Sequence, residues 1–135
     1  MSALTPYLCV ADGHAAIEWY VRVLGAEVTS DVVAMDDGRV GHVELTVDLG
    51  AGPARWMMSD EFEAAGVARP APGRGSDVTL HVEVGDAVRL DALAAAMADA
   101  GADLQRGPDD NPHAGRVAVL RDPFGHRWFL AAPLG

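Results

Sequence analysis

The sequence predicts an α+β domain in which a strand, a helix and three further strands occur twice in succession. Three observations lead to this prediction. Residues 4–10, 40–47 and 77–82 each alternate apolar and polar side chains with a period of two, which is the spacing of a strand with one buried face. Two intervening stretches space their apolar residues as amphipathic helices do. Short segments of the first half also recur in the second half, 72 to 77 residues later, as expected for a duplicated module.

The first predicted helix spans residues 13–24. Asp12 is a residue type whose side chain caps helix N termini, and Gly25 is the residue type that most often ends a helix. Trp19 and Tyr20 are neighbours in this helix. We therefore expect only one of them to face the sheet, and the other to be exposed or at an interface.

Three strands follow this helix and complete a first module, residues 1–63. Residues 27–35 are the weakest of these strands, and an Asp-Asp-Gly turn then leads into the central strand at residues 40–47. Residues 54–58 form the last strand. Residues 64–76 are rich in proline and glycine and lack apolar periodicity, so they are predicted to be a linker.

The second module, residues 77–135, repeats this order. Its helix is predicted to begin at Gly85 and Asp86 and to end at Gly101, with an apolar stripe of Leu90, Leu93, Ala94 and Met97. Its strands are predicted at residues 77–82, 102–106, 115–120 and 126–131.

The clearest internal match lies in the last strand of each module. Arg55-Trp56-Met57-Met58 in the first module corresponds to Arg127-Trp128-Phe129-Leu130 in the second. If the repeat is real, Trp56, Met58, Trp128 and Leu130 face the helices and belong to the core. Met57 and Phe129 then face the opposite side of the sheet.

Composition and charge exclude several classes of protein. The chain of 135 residues is of single-domain size, and its net charge of −10 opposes binding to phosphate backbones or anionic membranes. A single cysteine, Cys9, rules out an intrachain disulfide or a cysteine cluster for zinc. No apolar run is long enough to span a membrane, and residues 1–3 lead into the first strand without a basic leader. We therefore expect a soluble cytoplasmic protein.

One face of the predicted strands carries groups that can hydrogen-bond or ionise. The central strand has aliphatic residues on one face and His42, Glu44 and Thr46 on the other. The other two alternating runs divide in the same way, with Thr5, Tyr7, Cys9, Asp77, Thr79 and His81 on the polar face. We expect these faces to line a common cleft for a small-molecule ligand, with Met57 and Phe129 as its apolar lining.

The paired module resembles the vicinal oxygen chelate superfamily, which includes glyoxalase I, extradiol dioxygenases, fosfomycin-modifying enzymes and bleomycin resistance proteins. Residues 12–26 resemble the first helix of this family, and Asp122-Pro123-Phe124-Gly125-His126 resembles its late Asp-Pro-x-Gly turn. Leu4-Thr5-Pro6-Tyr7 and Met57-Met58-Ser59-Asp60 are similar to a bacterial branch related to a phosphonate-operon protein. The resemblance covers essentially the whole chain. It implies a glyoxalase/bleomycin resistance fold, in which two βαβββ modules form a cupped mixed sheet with the helices on its outer face.

The resemblance also implies where a metal would bind. Enzymes of the superfamily usually hold a divalent ion through four positions, which fall here on Thr5, Glu44, Asp77 and Phe129. Glu44 and Asp77 are oxygen donors, whereas threonine is a poor ligand and phenylalanine cannot coordinate a metal. Since divalent ions need three or more protein ligands, we expect no standard metal centre and no cofactor.

A shifted metal site is the alternative. His42, Glu44 and His81, together with Asp77, supply imidazole and carboxylate ligands of the kind that hold Ni, Zn, Mn or Fe, provided that their strands are neighbours. The other interpretation is that both histidines are polar lining that hydrogen-bonds to threonine or water. We expect Glu44 to pair with His42 or His81 and to recognise a polar group of the ligand, and Glu44 is the candidate general base.

Two further residues have both a functional and a structural interpretation. Residues 108–115 form a predicted loop that could close over the cleft and bring His113 to the ligand, although such loops are more often solvated turns. Cys9 points to the cleft by parity, but nothing near it in sequence marks a nucleophile, so a buried apolar role is favoured.

Two classes of function follow from these patterns. The first is a non-catalytic protein that sequesters a small molecule, in the manner of a resistance protein. The second is a metal-dependent lyase, isomerase or dioxygenase with a non-standard site. The resemblance further implies a homodimer, and neither nucleic acid nor a membrane is expected as a partner.

Overall fold

The computed structural model of the chain describes residues 4–134, and in this part the strands form two separate sheets. The first sheet contains β1 (Tyr7–Val10), β2 (Glu27–Val28), β3 (Val33–Ala34), β4 (Val40–Asp48) and β5 (Pro53–Asp60). The second contains β6 (Thr79–Glu83), β7 (Asp103–Asn111), β8 (Gly115–Arg121) and β9 (Arg127–Ala132). The helices are α1 (Gly13–Trp19) and α2 (Ala87–Asp99). Residues 1–3, on which the expectation about a leader rests, lie outside the described residues.

Both sheets have the same topology. The first has the order β1-β5-β4-β2, with β3 also on β4, and the second has the order β6-β9-β8-β7. In each sheet the opening strand runs parallel to the closing strand, and the other neighbours are antiparallel. This arrangement confirms the predicted α+β fold of two tandem βαβββ modules.

The helices begin and end close to the predicted residues. The Asp12 carboxylate accepts a hydrogen bond from the Ala15 N–H (3.1 Å) and caps α1. The Asp86 carboxylate caps α2 in the same way, by accepting a hydrogen bond from the Arg89 backbone N–H (2.7 Å). A π-helical turn, Tyr20–Leu24, continues α1 and ends at Gly25, whose φ of 76° is in the left-handed region that glycine adopts without strain. No helix in residues 4–134 is long and apolar enough to cross a membrane.

The expectation that either Trp19 or Tyr20 would be exposed is wrong. Trp19 is 5% exposed and Tyr20 is fully buried. The reason is that the second module covers the helix on another side. The Trp19 indole donates to the Ala100 carbonyl (2.8 Å) at the end of α2, while Tyr20 packs between Trp56 and Trp128.

The apolar faces of both sheets pack into one shared core. The rings of Trp56 on β5 and Trp128 on β9 lie 5.4 Å apart, and Tyr20 contacts both. Met58 and Leu130, also predicted to face the helices, are fully buried in the same cluster. The polar face of each sheet is therefore the face turned away from the shared core.

Asp122 is the polar centre of this core. Its carboxylate accepts hydrogen bonds from the Tyr20 hydroxyl, the Trp128 indole (2.8 Å) and the backbone N–H groups of Phe124 and His126 (2.9 and 3.0 Å). Burial, reinforced by this carboxylate, raises the pKa of Tyr20 well above its ordinary value, so the hydroxyl stays protonated and remains a donor. Asp122 thus joins the first helix to the last turn of the chain.

The predicted loop at residues 108–115 is shorter in the structure. Strand β7 extends to Asn111, and only residues 112–114 form a turn. Two irregularities in the pairing of β7 with β8, between residues 104 and 109, place the Gly107-Pro108 segment at bulges, where a proline does not interrupt the ladder. The sequence pattern predicted this strand only to residue 106 and missed its continuation to Asn111, because the bulges break its period of two.

We predict that Asp122→Asn lowers the free energy of unfolding by about 2–4 kcal/mol. The reason is that the NH2 group that replaces one carboxylate oxygen cannot accept the hydrogen bonds from Tyr20 and Trp128. Urea denaturation of both proteins measures this difference. Asp31→Asn, at an exposed position, is the matched control and should change stability by less than about 0.5 kcal/mol. Equal stability of the two variants would contradict the role of Asp122.

Candidate functional site

The polar face of the first sheet carries a row of three side chains on adjacent strands. Tyr7 on β1 lies opposite Met57 on β5, and Met57 lies opposite Glu44 on β4. Tyr7 is 47% exposed, and the other two are half-buried. All three were predicted to line the ligand cleft, and the sheet register brings them side by side.

His42 joins this row through Tyr7. The Tyr7 hydroxyl lies 3.0 Å from His42 Nδ1, and the two rings are 5.6 Å apart. The same hydroxyl is also 3.5 Å from the Gly41 carbonyl, so it lies near the start of β4. The sequence predicted both residues but not their pairing, which depends on β5 lying between β1 and β4 in a register that brings Tyr7 within reach of His42.

Glu44 is held in place by its backbone. Its N–H donates to Ser30 Oγ (2.8 Å), and its carbonyl accepts the Thr29 N–H (2.9 Å). Among the described residues no hydrogen bond or ion pair engages its carboxylate. A half-buried carboxylate of this kind is available to accept a hydrogen bond from a ligand.

A cavity of about 310 Å³ opens at Tyr7, whereas His42 and Glu44 are not part of its wall. Its walls are mainly apolar and include Tyr7, Val33, Met35, Gly41, Ser59 and Phe62. A concave apolar surface with a few polar groups at its rim is the usual form of a small-molecule site. Phe62 was not identified from the sequence, because it lies beyond the last alternating strand.

The polar face of the second sheet is built differently. His81 stacks on Phe129, with ring centroids 5.2 Å apart and planes inclined by 21°. In the neighbouring row, Arg127 donates to Thr79 Oγ1 (3.1 Å) and to Gln105 Oε1 (2.8 Å). Phe129 therefore forms an aromatic platform for His81.

His81 and His113 line one wide, open cavity of about 670 Å³ at the end of β6. Glu83 is the third titratable residue in its wall. His113 lies in the turn after β7, where its N–H donates to Asn111 Oδ1 (2.8 Å). The structure thus brings these two predicted ligand-binding histidines together, on the second sheet.

A single chain does not bring His42 and Glu44 together with His81. The first two lie on the polar face of the first sheet and His81 on that of the second, and both faces are turned away from the core between them. Within residues 4–134 no group of three or more histidine, cysteine, aspartate or glutamate side chains could hold a metal ion. The shifted site therefore does not form within one chain.

The four family metal positions do not form a donor set either. Asp77 lies outside β6, is exposed and forms an ion pair with Arg74 (2.9 Å). The register aligns Tyr7 with Met57 and His81 with Phe129, so Thr79 rather than Asp77 is the counterpart of Thr5. The Thr5 hydroxyl accepts a hydrogen bond from Arg55 (3.3 Å), and Phe129 has no donor atom. These residues do not fit the family's metal centre.

Comparison with known proteins identifies the family. The model of the Glyoxalase/Bleomycin resistance protein/Dioxygenase superfamily matches residues 3–130. The chain belongs to this superfamily. The match confirms the resemblance drawn from the helix and turn motifs.

Relatives of this glyoxalase-type chain are similar over nearly its whole length. The uncharacterized protein Mb0911c of Mycobacterium bovis is 32% identical over 134 residues, which cover 98% of this chain and 84% of the relative. TioX from Micromonospora sp. ML1 superposes with a TM-score of 0.68 at 27% identity, covering 99% of this chain and 98% of TioX. A PhnB protein from Bacillus cereus has a TM-score of 0.72 at 16% identity, with 97% and 99% coverage, and so shares the fold.

Cys9 is buried, as the sequence predicted, at the end of β1. Burial, aided by the nearby carboxylates of Glu61 and Asp60, raises the pKa of its thiol to about 11. At pH 8 only about one thiol in a thousand is then ionised, and the thiolate is the reactive form.

We predict that iodoacetamide at pH 8 leaves Cys9 unmodified in the folded protein and alkylates it rapidly in guanidinium chloride. Because the folded pKa is raised, reactivity should appear only as the pH approaches 11. Intact-mass spectrometry after timed quenching measures both rates. Equal rates in the folded and unfolded protein would show that the thiol is accessible and ionised.

Proposed function

We propose that the protein binds a small organic molecule on the polar face of the first sheet and does not transform it. The observation that supports this best is the group formed by Tyr7, His42 and Glu44, together with an apolar-walled cavity that Tyr7 lines. The donor set at the family's metal positions also favours a binder, because Thr5 and Phe129 cannot complete a metal centre.

The chemistry of this group defines what the ligand should offer. An apolar or aromatic part fits against Met35, Phe62 and the Tyr7 ring. A hydroxyl, amide or ammonium group of the ligand then donates to the Glu44 carboxylate. His42 can donate or accept through its second ring nitrogen, so it recognises a polar substituent next to that group.

We further propose that the functional form is a homodimer. The polar faces of both sheets lie outside the shared core. Val33 and Tyr7 on the first sheet are 53% and 47% exposed, and Phe62, just beyond β5, is 50% exposed. Covering this face with the second sheet of another copy would remove apolar surface from water and bring His81 of that copy towards Glu44. The common cleft expected from the sequence is then formed between two chains.

We predict that protein purified without chelators retains a small molecule detectable by native mass spectrometry, and that Glu44→Gln and His42→Gln lose most of it. Each substitution removes an ionisable group from the site while preserving side-chain size. Glu18→Gln, on the exposed side of α1, is the matched control and should retain the ligand.

Metal analysis of the same samples tests the metal-dependent alternative. A stoichiometric divalent metal that disappears in Glu44→Gln would contradict the proposal of a non-catalytic binder. A ligand retained equally by both variants and the control would contradict the proposed site.

We predict that light scattering gives twice the chain mass of 14.1 kDa and that Val33→Glu shifts the protein towards the monomer. A charge at Val33 would have to be buried if the polar face of the first sheet is covered. Val21→Glu, at a 41% exposed position on the π-helical turn, should leave the dimer intact. A monomer at micromolar concentration would contradict the homodimer.

A further inference from the structure

A second concave site lies between the two modules, apart from the group at Tyr7, His42 and Glu44. It is a groove of about 390 Å³ where residues 4–6 and the start of β5 face β6. Its walls are mostly apolar and include Pro6, Ala54, Trp56, Leu80, Val82 and Trp128. We call it the intermodule groove. Its size and apolar walls are typical of small-molecule sites.

The polar members of the groove lining are Arg55, Thr79 and His81, and no carboxylate occurs among its lining residues. Arg55 forms no ion pair with a described acidic residue, and its guanidinium donates to the neutral hydroxyl of Thr5 (3.3 Å). In sequence, Thr5 lies between the lining residues Leu4 and Pro6. The groove lining thus carries a permanent positive charge, that of Arg55, without a negative partner.

The chain is acidic, with a net charge of −10, yet six of its ten arginines form no ion pair with a described acidic residue, and Arg55 is the one of these six in the groove lining. Elsewhere in the described residues, Arg39, Arg69, Arg74 and Arg116 each pair with an aspartate or glutamate within 4 Å. Because arginine keeps its charge and presents several donors, an unneutralised guanidinium beside an apolar groove matches a carboxylate or similar anion.

A second donor belongs to the groove wall. The indole N–H of Trp56 is buried without a hydrogen-bond partner, whereas the corresponding N–H of Trp128 donates to Asp122 (2.8 Å). Trp56 is 2% exposed. An unpaired buried donor is destabilising, and the residue that carries it is part of the groove wall.

We infer that the intermodule groove binds an organic anion with an apolar body, such as a medium-chain carboxylate. The apolar part packs on Trp56, Trp128 and Leu80, and the carboxylate accepts hydrogen bonds from Arg55 and Thr79. This site is independent of the one under the proposed function, because it uses neither Tyr7, His42 nor Glu44.

Decanoate is the probe for this inference, with decanol as its uncharged equivalent. Two of the three tryptophans line the groove, so decanoate should quench intrinsic fluorescence in a saturable way with one site per chain. Decanol should bind at least roughly tenfold more weakly, since it cannot form a charge-assisted hydrogen bond with Arg55. Equal affinities for decanoate and decanol would overturn the inference.

Two pairs of variants locate the binding site. Arg55→Gln should weaken decanoate binding by roughly tenfold or more while leaving decanol unchanged, and Arg22→Gln, on the π-helical turn, should leave both unchanged. Val78→Glu places a negative charge at the 65% exposed mouth of the groove and should also weaken decanoate, whereas Val88→Glu on α2 should not. These positions are on the surface or at the edge of the groove, so all four variants should fold.

The experiment also distinguishes other occupants of the groove. If Val78→Glu shifts the oligomeric state and decanoate fails to bind, the groove is an interface with a second copy and the inference is wrong. Unchanged decanoate affinity in Arg55→Gln would also overturn it. Neither result affects ligand retention at Glu44, so failure here and failure of the proposed function are separately observable.

Discussion

The packing of two apolar sheet faces into a single core is the constraint on which the rest of this structure depends. Trp56 and Trp128 meet where the modules join, and Tyr20 reaches both of them from the first helix. Asp122 supplies the acceptor that lets Tyr20 and the Trp128 indole be buried without unsatisfied donors. Because the apolar faces are committed to this core, each polar face must point outwards.

This constraint explains why the functional groups fall into separate places in one chain. Tyr7, His42 and Glu44 gather on the first sheet, whereas His81 and His113 gather on the second. The gap between the modules leaves a third surface, the intermodule groove, with Arg55 beside it. The duplicated fold thus offers several concave surfaces, and the chemistry of each depends on how the two copies of the module have diverged. Trp128 has Asp122 as a partner, while Trp56 has none.

Much of the architecture could be predicted because it depends on local pattern. A period of two identified the faces of β4 and β6, and capping residues located both helices, since these signals require only neighbours in sequence. The failures have long-range causes. Trp19 and Tyr20 are both buried because the end of α2 and β9 cover a side of the helix that the first sheet does not reach. Strand β7 continues through Pro108 because bulges absorb the irregularity.

The sequence by itself determined the order of the strands and helices, that the module is duplicated, and which side chains share the polar face of a strand. It did so because backbone geometry fixes the direction of successive side chains. Only the tertiary structure decided which polar faces meet, because that depends on how the sheets pack. It separated Glu44 from His81, paired Tyr7 with His42, and set Arg55 beside the two core tryptophans at the groove between the modules.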